Sequence, residues 1–195
     1  DGLEKLNPPW CNVCARPSPR SLCNFCRRTP LAIDGIRAPY LMQGPVQQAI
    51  YSLKYRSVRA IAPELAELLA QFMTRRPIAG GLLVPVPLHP RRLRSRGYNQ
   101  SALLARELGK LTGLPVDEGL VSRTRNAPPQ VNAASQEQRR SNVENGFRCT
   151  ADVSGVEVIL LDDVATTGST LSACAAALKD AGAASVWGLT VAREV

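Results

Sequence analysis

Asp162 and Asp163 stand side by side at the end of four apolar residues, Val158-Ile159-Leu160-Leu161, and directly before Val164-Ala165-Thr166-Thr167-Gly168-Ser169-Thr170. The apolar run reads as a buried strand, the two acids as its tip, the hydroxyl-rich stretch as a loop, and the pattern from Leu171 as a helix start. Loop amides and a helix N-terminus can hold a phosphate. Two carboxylates can hold sugar hydroxyls. Together these groups read as a site for a sugar phosphate. Gly168 lets the backbone come close to the phosphate, and Thr166, Thr167, Ser169 and Thr170 supply hydroxyl donors. The plainer alternative is an acidic helix cap after a core strand, since Asp-Asp followed by Thr-Gly-Ser can cap a helix.

A second concentration of functional groups follows Pro85-Val86-Pro87-Leu88-His89-Pro90. Arg91, Arg92, Arg94 and Arg96 occur within six residues without an intervening acid. Planar guanidinium forks match the oxygens of a pyrophosphate; a solvated basic loop is the alternative. His89 is the only histidine. It could transfer a proton, although a lone histidine is more often structural.

The third group is made of thiols. Cys11 and Cys14 are two residues apart, as are Cys23 and Cys26, and eight residues separate the pairs. Each pair can chelate one side of a tetrahedral ion, so the four residues predict a closed structural zinc site. The surrounding segment has too few apolar residues to fold alone, and metal binding would supply its folding energy. Two disulfides or a redox pair are the competing assignments. Cys149 and Cys174 lie on apolar patterns and are expected in the core. Arg16, Arg20, Arg27 and Arg28 on the thiol module could touch nucleic acid, or the module could dock a protein or cap the main domain.

The elements that must position these groups follow from periodicity. Helices are expected over 46–54, 58–73, 99–111 and 170–181, and strands over 82–86, 120–123, 146–149, 158–161 and 185–191. Alternating strands and helices predict an α/β fold with a mostly parallel sheet covered by helices on both faces. Ligands bind such sheets at the carboxyl ends of strands, where both the acidic and the arginine segments fall. Residues 1–30 hold four of the six cysteines and five prolines, and form the expected zinc module; residues 31–195 form the main domain.

With 195 residues, 45% of them apolar, the chain can bury a core without a disulfide framework. The net charge of +8 favours anionic partners. Only nine aromatics (two Trp, four Tyr, three Phe) disfavour an extended base-stacking platform. No apolar run approaches the ~18 residues of a membrane helix, so no membrane insertion is expected. Asp1-Gly2-Leu3-Glu4 has neither the basic start nor the apolar core of a signal peptide, and a cytoplasmic location is expected. The chain starts at Asp1 without an initiator methionine, as a truncated or processed form would.

At the level of residues 158–170 the chain resembles the 5-phosphoribosyl-1-pyrophosphate (PRPP) motif of type I phosphoribosyltransferases. The order of the cysteine module, Leu53-Lys54-Tyr55, Pro85-Val86-Pro87-Leu88, Arg96-Gly97-Tyr98-Asn99-Gln100, Arg123 to Gln130, Arg140-Ser141-Asn142-Val143 and the PRPP loop resembles the ComF family, which includes GntX-like proteins. The resemblance implies a type I phosphoribosyltransferase-like domain behind a zinc finger. It also implies a role in DNA uptake during natural transformation. Asp162 and Asp163 would bind the ribose hydroxyls and stabilise the cationic transition state. Residues 165–170, with Ala165 first, would form the 5′-phosphate cradle. Leu88, His89, Arg91 and Arg92 would bind the pyrophosphate, with Mg2+ bridging pyrophosphate and ribose oxygens. Residues 126–145 would be a lid that excludes water.

Three functions remain open at this level. One is an enzyme transferring phosphoribose from PRPP within a DNA-uptake role. Another is a non-catalytic adaptor that binds PRPP, a nucleotide or single-stranded DNA and docks DNA-uptake proteins. The last is a phosphoribosyltransferase of nucleotide metabolism with an unnamed acceptor.

Overall fold

The apolar run at 158–161 forms a strand, but a longer one than its sequence suggests. In the computed structural model, which describes residues 2–123 and 146–195, that strand runs over Glu157–Ala165 and carries both acids within it. The segment expected to act as a lid, 126–145, lies outside the described residues. The extension has a pairing cause. The last long strand runs to Arg193, and the two pair in parallel from Glu157↔Ser185 through Asp162↔Thr190 to Ala165↔Arg193.

In chain order the described elements are α1 (Asn24–Arg28), β1 (Gly35–Arg37), β2 (Tyr40–Leu41), α2 (Gly44–Tyr55), α3 (Ala62–Arg75), β3 (Leu82–Pro85), α4 (Pro90–Arg96), α5 (Gln100–Thr112), β4 (Val121–Arg123), β5 (Phe147–Cys149), β6 (Glu157–Ala165), α6 (Ser169–Asp180) and β7 (Ser185–Arg193). The sheet has the order β1-β7-β6-β3, with β2 also on β7, and every pair in it is parallel. Strands β4 and β5 form a separate antiparallel pair. This is the expected mostly parallel α/β sheet flanked by helices.

Alternation along the strands divides the core in two. Leu83, Ile159, Leu161, Leu189 and Val191 pack with Val46, Ile50 and Leu53 of α2, Leu65 and Leu69 of α3, and Leu104 and Leu108 of α5. Val84, Val158, Leu160 and Val186 pack on the other face with Leu171, Cys174 and Leu178 of α6. Cys174 is fully buried there. Cys149 departs from its expected core position: it is half-buried at the end of β5, and its thiol donates to the Ala151 carbonyl at 3.2 Å.

The helix expected over 58–73 begins later, at Ala62, after a single 3-10 turn over Arg59–Ile61. Pro63 sits in its first turn, where the missing N–H costs nothing. The short helix α4 was not expected. His89 caps its start, Pro90 opens it, and Gly97 ends it with φ of +80°. The segment before residue 31 lies along the sheet edge: the Ile36 amide donates to the Val13 carbonyl at 2.7 Å, and Leu6 donates to Pro39 at 2.8 Å.

Candidate active site and cysteine cluster

The strand end β6 delivers two carboxylates to a cleft of ≈ 280 Å³. Asp163 is 2% exposed, and Lys54 of α2 pairs with its Oδ1 at 3.1 Å. Its other oxygen, Oδ2, is buried and has no hydrogen-bond partner. Asp162 accepts from the Ser101 hydroxyl at 2.8 Å and from the Asp163 amide at 2.9 Å. Burial, and then the neighbouring Asp163 charge, push the Asp162 carboxyl up to about 7. Asp163 Oδ2 is the one oxygen of the pair left buried without a partner among the described residues. A buried oxygen without a donor is costly, which makes Asp163 Oδ2 a natural acceptor for a ligand hydroxyl or a cation's water shell.

The loop after β6 turns at Gly168, whose φ of +83° is left-handed. The left-handed φ favours glycine, and a Cβ there would lie 2.8 Å from Ile36 Cδ1, so that side chain would have to move. The Thr167 hydroxyl lies 2.8 Å from that of Ser169 and accepts from the Ser169 amide at 3.2 Å. Thr166 and Thr170 line the cleft with the two acids, whereas Thr167, Gly168 and Ser169 form the turn beside it. The carbonyls of Ala165 and Thr166 accept from Arg193.

The opposite wall comes from the arginine segment. Leu88, Arg92 and Arg96 line the cleft, and Arg123 joins them from β4. Arg91 lies on the exposed face of α4 and is not among the lining residues. His89 Nδ1 accepts the Arg91 amide at 3.2 Å and so caps α4. Its pKa is lowered by desolvation and then by the charges of Arg123, Arg91, Arg92 and Arg94, which keeps free the lone pair that the cap uses.

The sulfur atoms of Cys11, Cys14, Cys23 and Cys26 lie within 4.8 Å of one another, and all four residues are buried. The backbone amide of Cys23 donates to Cys11 Sγ at 3.4 Å, and that of Cys26 to Cys23 Sγ at 3.5 Å. Burial raises the thiols of Cys14 and Cys26; it opposes ionisation of Cys11 too, but backbone donors there prevail and hold that thiol at about 6. Four converging sulfurs with amide donors fit a metal such as zinc.

Residues 94–193 match the phosphoribosyl transferase domain family. The DNA utilization protein YhgH of Salmonella typhimurium is 34% identical over 185 residues, covering 90% of this chain and 80% of that protein. Competence protein ComFC of Bacillus subtilis is 28% identical over 205 residues, covering 98% of this chain and 80% of that protein. Competence protein F of Haemophilus influenzae is 36% identical over 112 residues, 55% of this chain and 48% of that protein.

The chain belongs to the ComF family.

Among solved structures it is similar to the B. subtilis glutamine PRPP amidotransferase, at 22% identity and a TM-score of 0.46 over 67% of this chain and 26% of that one.

Lys54, Tyr51 and Tyr55 of this ComF-family cleft, and Ser101 bonded to its Asp162, are among the residues that escaped assignment from sequence. Lys54 and Ser101 sit on helices one position from apolar core residues, so they read as helix surface. Tyr51 and Tyr55, 50% and 69% exposed with ring centroids 5.7 Å apart, read as ordinary helix positions yet line the cleft. Their i, i+4 spacing was the available signal.

Proposed function

We propose that this ComF-family chain acts in DNA uptake during natural transformation, in the cytoplasm, as a phosphoribosyltransferase that takes PRPP. The single observation carrying the PRPP reading is the buried, unpartnered Asp163 Oδ2 beside the Lys54-paired Oδ1. In this reading Asp162 and Asp163 accept hydrogen bonds from the ribose 2′- and 3′-hydroxyls. Their negative charge stabilises the ring as the C1–O bond breaks. The electron pair of that bond leaves with pyrophosphate. A nucleophile lone pair forms the new bond to C1, and the nucleophile's proton passes to solvent. Residues 165–170 hold the 5′-phosphate, and the arginine segment neutralises the leaving group through Arg92, which lines the cleft. Asp162 and Asp163 would hold Mg2+, which would supply neutralisation of the pyrophosphate charge. Residues 1–30 would be a zinc finger on Cys11, Cys14, Cys23 and Cys26, and residues 31–195 the transferase domain.

The test follows pyrophosphate release from PRPP and Mg2+, with and without single-stranded DNA, in the unaltered chain and in Asp162→Asn and Asp163→Asn. The reading requires release that either substitution abolishes. Release equal in all three would refute it.

The exposed Tyr51–Tyr55 pair, with the Arg96 guanidinium 5.5 Å from the Tyr55 ring, favours a second reading. Tyrosine faces beside arginines stack the bases of a single strand. The same cleft would then hold single-stranded DNA without turnover and dock uptake proteins. Retained PRPP or DNA binding with no pyrophosphate release under any acceptor would favour it.

A further inference from the structure

Arg193 ends β7 and is 0% exposed. A guanidinium is expensive to bury, and burial depresses its pKa. No carboxylate pairs with it among the described residues. Its bonds go to carbonyls instead. Nε donates to the Cys14 carbonyl at 2.8 Å. Nη1 donates to the carbonyls of Ala165 at 2.7 Å, Glu194 at 2.8 Å, and Thr166. One side chain thus holds the first cysteine knuckle at one end and the start of the phosphate loop at the other.

The consequence for the loop follows from peptide geometry. A trans peptide points its C=O and the next N–H in opposite directions. Drawing the carbonyls of Ala165 and Thr166 onto Arg193 turns the amides of Thr166 and Thr167 away from it. Those amides belong to the cradle assigned above to the 5′-phosphate. The consequence for the cysteines is electrostatic. Four thiolates around a divalent metal carry a net charge of about −2, and a buried cation beside them offsets part of it. Without the metal the knuckle loses the ligation that would fix Cys14.

We propose that Arg193 is a positioning residue that makes the order of the phosphate loop depend on metal occupancy of the four-cysteine cluster. The part concerning the 5′-phosphate rests on the PRPP reading; the link between cluster and loop does not.

Hydrogen exchange on the intact chain tests the link without any ligand. The zinc-loaded chain and the chelator-stripped chain are compared at the amides of residues 166–169, with those of 158–161 as reference. Stripping is expected to speed loop exchange roughly tenfold, the size of a lost charge-assisted bond, while leaving the reference amides unchanged. Arg193→Lys, which keeps the charge but not the fork, is expected to retain stoichiometric zinc and show fast loop exchange with or without it. Identical loop exchange in loaded and stripped chains overturns the proposal. So does a zinc dependence that survives Arg193→Lys. Loss of protection at 158–161 on stripping also overturns it, because the cluster would then support the whole sheet rather than the loop.

Titration with Mg2+-PRPP and with Mg2+-pyrophosphate adds the functional arm. Stripping and Arg193→Lys should each weaken PRPP roughly tenfold, leave pyrophosphate unchanged, and not add to one another. An equal loss for both ligands contradicts a role at the 5′-phosphate. If PRPP binds no form of the chain while the loop still responds to zinc, the link stands and the PRPP reading falls.

Discussion

The two walls of the cleft are built to opposite specifications. The carboxylate wall is part of the sheet: Asp163 is buried, Asp162 is half-buried and held by Ser101, and Gly168 fixes the turn that follows. The arginine wall is a seven-residue helix whose Arg91, Arg92 and Arg94 are exposed. Its fixed points are His89 at the start and Gly97 at the end. The difference matches what each wall would meet. Ribose hydroxyls need acceptors at set positions, whereas a leaving pyrophosphate needs mobile positive charge that can follow it. Preorganisation sits where the sugar would stay, and adaptable charge where a group would depart.

That contrast gives an ordered set of expectations. Asp163→Asn should have the largest effect, removing a charged acceptor and leaving Lys54 without its partner. Mg2+-PRPP affinity should fall about 10- to 100-fold by calorimetry, the range for hydrogen bonds to a charged group. An unchanged affinity would mean that the buried wall is not the sugar side. Next comes Gly168→Ala, which puts a Cβ 2.8 Å from Ile36 Cδ1 at a φ of +83°. It should cost about 1–3 kcal/mol in urea unfolding and weaken PRPP more than pyrophosphate.

The third expectation concerns pH. The Asp162 carboxyl is raised from 3.8 to about 7 in the folded chain. The folded state therefore holds a proton that the unfolded state releases. The stability contributed by this group is full below about 3.8 and is lost as pH rises through about 7. Asp162→Asn should accordingly gain stability relative to the unaltered chain as pH rises from 5 to 8, measured by urea midpoints. A constant difference would place the titrating group elsewhere. Arg92→Ala should have the smallest effect on the fold, within about 0.5 kcal/mol. It should still reduce pyrophosphate affinity and its salt dependence. A large loss of stability would show that the exposed wall is structural after all.

Much of the sugar side was legible because strand pattern, acid pair and glycine turn are contiguous in the chain. Residues 158–170 contain the strand, both acids and the loop, so local periodicity sufficed. The exact reach of β6 was not legible, because it depends on register with β7 across the sheet. β1 and β2 also escaped: with three and two residues they have too little alternation to read. Lys54 and Ser101 reach the acids only through tertiary approach; Lys54 stands in a family motif, but nothing on either helix marks its role at the acids. Arg193 is the clearest case. An arginine after Val191-Ala192 reads as a strand running out to solvent. It is buried between the phosphate-loop carbonyls and the cysteine segment, about 180 residues earlier in the chain, whose Cys14 carbonyl accepts from it. The four cysteines themselves needed no tertiary information to be grouped, since paired spacing alone gathers them.

Calorimetric titration of Mg2+-PRPP into the unaltered chain and into Asp163→Asn tests the central claim most directly. The account predicts saturable binding to the unaltered chain and a loss of about 10-fold or more in the variant, with the secondary structure unchanged by circular dichroism. Equal binding to both chains, or none to either, would contradict it.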